Sequence, residues 1–404
     1  MTTYLSDRQD TNLVLSTERK IDIPPEIYWL STDIAPLVHI SKGSIDNKSK
    51  AKSRACINPE FTVLEKENKA RFTAVNYSTG YTAGASTITL DSVTHINVGD
   101  LLKNVVKEEI VRVTAKSNDA GTVTVTRAFG ATAAATTWAD NEPVLRLINA
   151  SEENGAIPNI LMVQNRKRTN YCGIFRKTFG MSGTAENSEY YGGKKRPELA
   201  KEAYLEVMRD EEYGFIWGEP FESMTGGANG HPIRMTGGLW YWGEASGTVT
   251  TATTTFTKAG WMTFVRRAFE YGDATTRVAL CSPLIIEMLD YWKDSKLQMR
   301  PSDDLYRVNV AEWETGNGRL LIVRDTILAN SPAGTTTAGY GGVCIVFDPA
   351  LIQHRHLQNR EMALYKDRVK DGTDGWTDEY LGEEGLQVVN PENISILEDV
   401  TTYA

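Results

Sequence analysis

The passage from Asn165 to Trp242 constrains this chain more than any other. It reads NRKRTNYCGIFRKTFGMSGTA, then PELAKEAYLEVMRDEEYGFIWGE, then MTGGANGHPIRMTGGLWYWGE. A basic extended segment leads into a charged amphipathic helix, which runs into glycine-rich turns. The helix is predicted over Pro197–Trp217. Pro197 suits the first helical position, where the N–H it lacks would be unpaired anyway. Leu199, Ala200, Ala203, Tyr204, Val207, Met208 and Phe215 make one apolar stripe. Glu198, Glu202, Glu206 and Asp210 stand four apart on another strip. Like charges at that spacing cost roughly 0.2–0.5 kcal/mol per pair in an isolated helix. The strip therefore reads either as a solvated face or as the seat of a basic partner. MTGG occurs at Met224–Gly227 and again at Met235–Gly238, which reads as paired turns, and the aromatic run Trp240–Trp242 reads as core or interface filling.

A change of composition marks a second unit. From Ala74 to about Ala150 the chain is rich in Thr, Val, Ala and Gly, with ASTITL, EEIVRVTA and GTVTVTR separated by the turn sequences NVGD and SNDAG. This predicts a small β-barrel or β-sandwich over 74–145. Glu108 and Glu109 open one of its strands and read as paired solvent-facing acids. On either side, CINPEFTVLEKENKARFT (56–73) and the strands of 146–182 are expected to form a long hairpin carrying the insert near its tip. An isolated hairpin is marginal in water, so a neighbouring copy is its expected support. Residues 1–55 hold one apolar island, Ile23–Ile40, expected to be a short helix broken near Pro36. From Lys258 onward helices and strands alternate, which predicts a compact sheet-and-helix domain. The fold class is α+β.

Composition narrows the function. The charged fraction, 24%, is that of a globular chain, and no apolar run reaches the ~18 residues of a membrane span. Nothing in MTTYLSDRQD resembles a signal-peptide core, so the chain is expected to fold in a cytoplasm. Cys56, Cys172, Cys281 and Cys344 lie far apart and are expected to be reduced and buried. The net charge of -9 sits in residues 371–404, which carry nine acids and no Lys or Arg. Basic residues cluster at Lys48, Lys50, Lys52 and Arg54, and at Arg166, Lys167, Arg168, Arg176 and Lys177. One reading is ordinary solvated surface. The sharper one is that copies meet head to tail, basic on acidic, a geometry that builds rings or lattices.

Enzyme motifs are approached and missed. GMSGT (Gly180–Thr184) has Thr184 where a nucleophile elbow needs glycine, and YYGGKKR has Ser188 and Lys195 at the two decisive positions of a phosphate loop. His354 and His356 form an HxH pair without a third ligand at a convincing spacing. No cofactor or metal is expected. No nucleic-acid-binding pattern accompanies the acidic balance.

The order of these parts resembles the major capsid proteins of tailed bacteriophages. The resemblance rests on LSTDIAPLVHI, the strand pair with its β-rich insert, NYCGIFRKTFGMSGTA with the charged helix, MTGGLWYW, and the ending FDPALIQHRHLQNREMALY…GWTDEYLGEEGLQVVNPENISIL. It implies an N-terminal arm (1–55), an extended loop (56–73 with 146–182), a peripheral domain with a spine helix (183–257 and 336–404) and an axial domain (258–335). It further implies a shell protein that meets copies of itself in hexamers and pentamers and encloses DNA without specific binding. Separate scaffolding, portal and decoration proteins are possible partners, with no membrane involved. The expected inter-subunit contacts are Lys48, Lys50, Lys52, Arg54, Arg166, Lys167 and Arg168 against Glu198, Glu202, Glu206 and Asp210. Two rival readings are a tail, receptor-binding or decoration protein of fixed small oligomeric state, and a metallohydrolase using His354 and His356.

Overall fold

The computed structural model describes residues 35–43, 53–130, 135–151, 153, 160–188, 195–252, 255–292, 310–329, 342–369 and 372–404. They divide into two compact units, one of residues 64–167 and one made from the chain on either side of it.

The first described element of the larger unit is helix α1 (Pro36–Lys42). Pro36 starts this helix instead of breaking one, because proline at the first position sacrifices no hydrogen bond. The earlier part of the Ile23–Ile40 island lies outside the described residues. Strands β1 (Arg54–Cys56) and β2 (Glu60–Glu65) follow.

The smaller unit holds β3 (Phe72–Ala74), β4 (Thr87–Thr89), β5 (Asp100–Asn104), β6 (Ile110–Ser117), β7 (Thr122–Thr126) and β8 (Pro143–Asn149). They form one antiparallel sheet in the order β3-β8-β5-β6-β7-β4. A bridge between Val75 and Leu90 joins the ends of the two outer strands, so the sheet closes on itself. Period-two alternation sends Val111, Val113, Val123 and Val125 inward around Trp138, while Arg112 and Thr124 between them stay nearer the surface. The sheet runs beyond 74–145 at both ends. β8 belongs to it: it pairs with Phe72 and Thr73 at the end of the 56–73 segment on one side and with β5 on the other, so that end of the expected hairpin is built into the sheet.

The chain returns through β9 (Arg166–Tyr171) and β10 (Gly173–Met181), then α2 (Gly183–Glu186) and α3 (Lys195–Trp217). Next come β11 (Phe221–Ser223), β12 (Ile233–Met235), α4 (Leu239–Ser246), β13 (Thr248–Thr251), α5 (Lys258–Ala268), β14 (Thr276–Cys281) and α6 (Pro283–Tyr291). The last are β15 (Val310–Thr315), β16 (Gly318–Arg324), β17 (Cys344–Phe347), β18 (Ile352–Leu357), β19 (Ala363–Tyr365), β20 (Trp376–Val388) and β21 (Ser395–Glu398). Of the strands expected in the extended loop, β2 and β9 do pair. β10 instead pairs over its whole length with β20, more than 190 residues downstream, in a sheet ordered β1-β18-β20-β10 with β19 beside β20.

The second large sheet runs β13-β21-β17-β14-β16-β15. It is not confined to 258–335, since β13, β17 and β21 come from the stretches assigned to the peripheral domain. The reason is burial on both faces. Val278, Leu280, Ile345 and Phe347 face a core shared with α1, α3 and α4, while Ala279, Cys281, Cys344 and Val346 face one shared with α5 and α6. Strands apolar on both sides must lie inside a sheet with helices on each face, which is why these segments read as unbroken apolar runs. GMSGT is a helix start: the Ser182 hydroxyl accepts from the Ala185 N–H at the head of α2. Among the described residues no helix is long and apolar enough to cross a membrane.

Candidate assembly surfaces and a buried ionic cluster

The predicted contact residues separate once the chain is folded. Lys48, Lys50 and Lys52 lie outside the described residues. Arg54 on β1 and Lys167 on β9 are exposed. Arg166 lies 3.3 Å from Glu67. Arg168 is buried inside its own chain, with Nη2 2.5 Å from Glu392 Oε1, Nη1 donating to Ser246 Oγ at 3.0 Å, and its guanidinium over the Trp242 ring. A desolvated arginine satisfied in this way is not a surface contact, and Arg168 leaves the set.

The acidic strip of α3 is also partly answered at home. Glu198 pairs with Lys195 at 2.7 Å, and Glu206 pairs with Lys177 of β10 at 2.7 Å. Glu202 and Asp210 remain exposed. The acid-rich tail behaves likewise. Asp378 meets Arg196, Glu379 meets Arg176 and Arg368, Glu383 meets Arg360, Glu384 meets Lys42 and Glu392 meets Arg168. Five of the nine tail acids are therefore paired with bases of the same chain, four of them placed there by β20.

Apolar surface is left open elsewhere. Leu64, Ile160 and Met162 are 67, 84 and 82% exposed. Met162 also lines, with Lys66, Lys69, Arg71, Leu161 and Val163, an open cleft of about 680 Å³.

The densest chemistry is an internal ionic cluster. Glu211 and Glu212, near the end of α3, are both fully buried. Glu212 receives the Leu37 and Val38 N–H groups at 2.7 and 2.8 Å, capping the first turn of α1. Lys42, in the last turn of α1, lies 2.9 Å from Glu211 and 2.8 Å from Glu384. Adjacent acids on α3 thus hold the two ends of α1. β18 adds His354, whose Nε2 is 3.0 Å from Glu384 Oε2 and whose Nδ1 is 2.8 Å from Ser53 Oγ. Ser53 Oγ reaches on to His356 Nδ1 at 2.9 Å.

Burial alone would lower the pKa of His354, but its hydrogen bonds to Glu211 and Glu384 outweigh that and raise it. Burial raises Glu211 and pushes Glu212 well up. Glu384 is held well below the carboxylate range, because the hydrogen bonds from His354 and Glu211 and the Lys42 charge overcome its burial. Glu211, His354 and Glu384 bring ligand-type atoms within 4.8 Å of one another. The Lys42 ammonium contacts both of these carboxylates and places a single positive charge there. HxH was visible in the sequence. Its acidic partners were not, because they arrive from α3 and β20, about 140 residues upstream and 30 downstream.

Glu109 in the smaller unit is not the solvent-facing acid that its sequence context suggests. Glu108 is exposed with a φ of +58°, but Glu109 is buried. Its carboxylate accepts from Arg127 at 2.8 and 2.7 Å, from Trp138 Nε1 at 2.9 Å, and from the Thr136 and Ala128 N–H groups at 3.0 and 3.1 Å.

Comparison with known proteins closes the assignment. Of solved structures, the chain is similar to the capsid of a native GTA particle computed with C5 symmetry, with 11% identity over 98% of this chain and 99% of that one and a TM-score of 0.51. It is also similar to a chain of Gordonia phage Cozz, with 11% identity, 96% and 92% coverage and a TM-score of 0.48. A third similarity is to Mycobacterium phage Bobi, with 6% identity, 95% and 96% coverage and a TM-score of 0.47. At these identities the first likeness speaks to the fold alone. No curated protein sequence matches. Residues 7–401 match the SU10 major capsid protein family, so nearly the whole chain is accounted for by one family. This chain belongs to the SU10 major capsid protein family and is a structural protein of the phage capsid.

Proposed function

We propose that copies of this chain close into an icosahedral shell around viral double-stranded DNA, held by many weak contacts instead of a few strong ones, and that assembly takes place in the bacterial cytoplasm. The observation that carries the reading is the exposure of Leu64 on β2 and of Ile160 and Met162 ahead of β9 in the chain, apolar surface that a lone copy leaves in water. The arm (1–55) and the segments flanking the insert act as clamps on neighbouring copies. The basic residues Lys48, Lys50, Lys52, Arg54, Arg166 and Lys167 meet acids such as Glu202 and Asp210 of another copy. A millimolar contact is worth only about 4 kcal/mol. A subunit held by several such contacts is fixed, because each later one forms at high effective concentration. Weak single contacts also let misplaced subunits dissociate during growth. The inner surface holds DNA without specific recognition, and scaffolding, portal and decoration proteins are separate chains.

The test is Leu64→Asp combined with Met162→Asp, followed by size-exclusion chromatography and negative-stain microscopy. The proposal expects free or small oligomeric subunits of native helix and strand content. Normal shells in normal yield would overturn the role of this surface. Charge reversal of Lys48, Lys50, Lys52 and Arg54 tests the arm in the same way.

A further inference from the structure

The four cysteines, scattered in the sequence, are all buried in the fold, and they fall into two couples. Cys281 and Cys344 stand directly opposite each other on β14 and β17, with sulfurs 3.3 Å apart and no exposure at all. Cys56 ends β1, and Cys172 is the one residue between β9 and β10. With Phe61 they make a small buried cluster of their own. Both backbones are pinned: the Cys172 N–H donates to Pro59 O at 2.8 Å, and the Gln358 N–H donates to Cys56 O at 2.9 Å. Both residues belong to the larger unit, and they bracket the points where the chain leaves for and returns from residues 64–167.

We propose that Cys56 and Cys172 are a built disulfide site, closed by a small-molecule disulfide when the protein leaves a reducing compartment, which ties off the loop that contains the whole inserted unit. Access favours this couple. Cys56 is 7% exposed, whereas Cys281 and Cys344 are wholly enclosed. The hydrogen bond from the Cys172 thiol, helped against burial by Arg355 and Arg54, also lowers the Cys56 thiol to about 7. A large share of Cys56 is therefore thiolate, the nucleophilic form, at neutral pH. The same contact, with burial, pushes the Cys172 thiol up, so it is the proton donor of the pair.

The chemistry balances as ordinary exchange. The Cys56 thiolate attacks one sulfur of oxidised glutathione, forms a mixed disulfide and expels one glutathione thiolate, which takes up a proton. Cys172 then loses its proton to solvent or to that leaving thiolate and attacks the Cys56 sulfur, expelling the second glutathione. Two thiols of the protein become one disulfide, and one oxidised glutathione becomes two reduced ones. Both sulfurs belong to a single copy, so the inference stands apart from the assembly reading and its test.

The experiment incubates the full chain with oxidised glutathione at neutral pH, blocks remaining thiols with an alkylating agent, and maps peptides without reduction. Expected are an intact mass lower by two hydrogens before blocking, a peptide pair linked through Cys56 and Cys172, and free thiols at Cys281 and Cys344 once the chain is unfolded. Cys172→Ser should stop the reaction halfway and leave one glutathione on Cys56, whereas Cys56→Ser should leave Cys172 unmodified. Full alkylation of both Cys56 and Cys172 in the oxidised wild-type chain would overturn the proposal. So would a link found only between copies, or one at Cys281–Cys344 with none at Cys56–Cys172.

Discussion

Glu109→Gln should loosen the inserted unit, by an amount that depends on pH. Burial by itself would raise the pKa of this carboxyl. Arg127, the Thr136 N–H, the Trp138 indole and the Ala128 N–H overcome burial and hold it at about 2, against an ordinary 4.5. At about 1.4 kcal/mol per unit, the folded unit favours the ionised form by about 3 kcal/mol. The folded value lies below the unfolded one, so this stability is fully present above about pH 4.5 and drains away as pH falls toward 2. The substituted amide keeps the shape but removes the charge, and it turns one acceptor toward Arg127 or Trp138 into a donor. The assay is amide exchange by mass spectrometry on the full chain, reading peptides across β6 and β7. At neutral pH their opening should become about a hundredfold more frequent in the variant. Near pH 3 the gap between the two chains should shrink to less than half in free energy, because the wild type is losing the same contribution. A gap below about 0.5 kcal/mol at neutral pH, or one of constant size down to pH 3, would refute the reasoning.

Other outcomes can be checked on the same protein. Lys42→Met leaves Glu211 and Glu384 buried without their cation and should cost about 3 kcal/mol in urea unfolding of the larger unit. For His354 the folded pKa is raised, so its contribution is complete below the ordinary value of 6.5 and is lost as pH rises through the folded value. The groups around it are Glu211, Glu384, Lys42 and Ser53. Wild-type stability should therefore decline from neutral to mildly alkaline pH, and His354→Gln should flatten that decline in parallel urea titrations. Gly342→Ala would drive a methyl group into the Val400 carbonyl oxygen, a backbone atom that cannot rotate aside. A loss of about 2 kcal/mol or more is expected from thermal unfolding.

The legible parts of this fold were those set by short-range periodicity. α3 was readable because Ala203, Val207, Met208 and Phe215 recur at helical spacing behind a proline. The insert was readable because Thr–Val alternation and glycine turns repeat within a few residues. Reading failed where a residue's role depends on who arrives to meet it. Glu211 and Glu212 sit in RDEEYGF, which looks solvated. They are buried because Lys42, His354 and the first N–H groups of α1 come to them. Glu109 looked like one of a surface pair, yet Arg127 and Trp138 close over it. The Leu199-to-Phe215 stripe included Tyr204, but Tyr204 is exposed at the edge of the face that β10 and β20 cover.

What the chain alone determined was the inventory: a spine helix, a β-rich insertion, buried apolar strands, and an arrangement of parts like that of a phage capsid protein. These follow from hydrophobic period and turn chemistry, which neighbours in sequence impose on each other. Only the tertiary structure decided which strand lies beside which, that β10 takes β20 while β2 takes β9, and that five acids of the tail meet bases of the same chain. The physical reason is that a strand edge or a charge is satisfied by any suitable partner. The choice among partners is made by burial, which removes water as the competing one and leaves only the groups that the whole fold brings within reach.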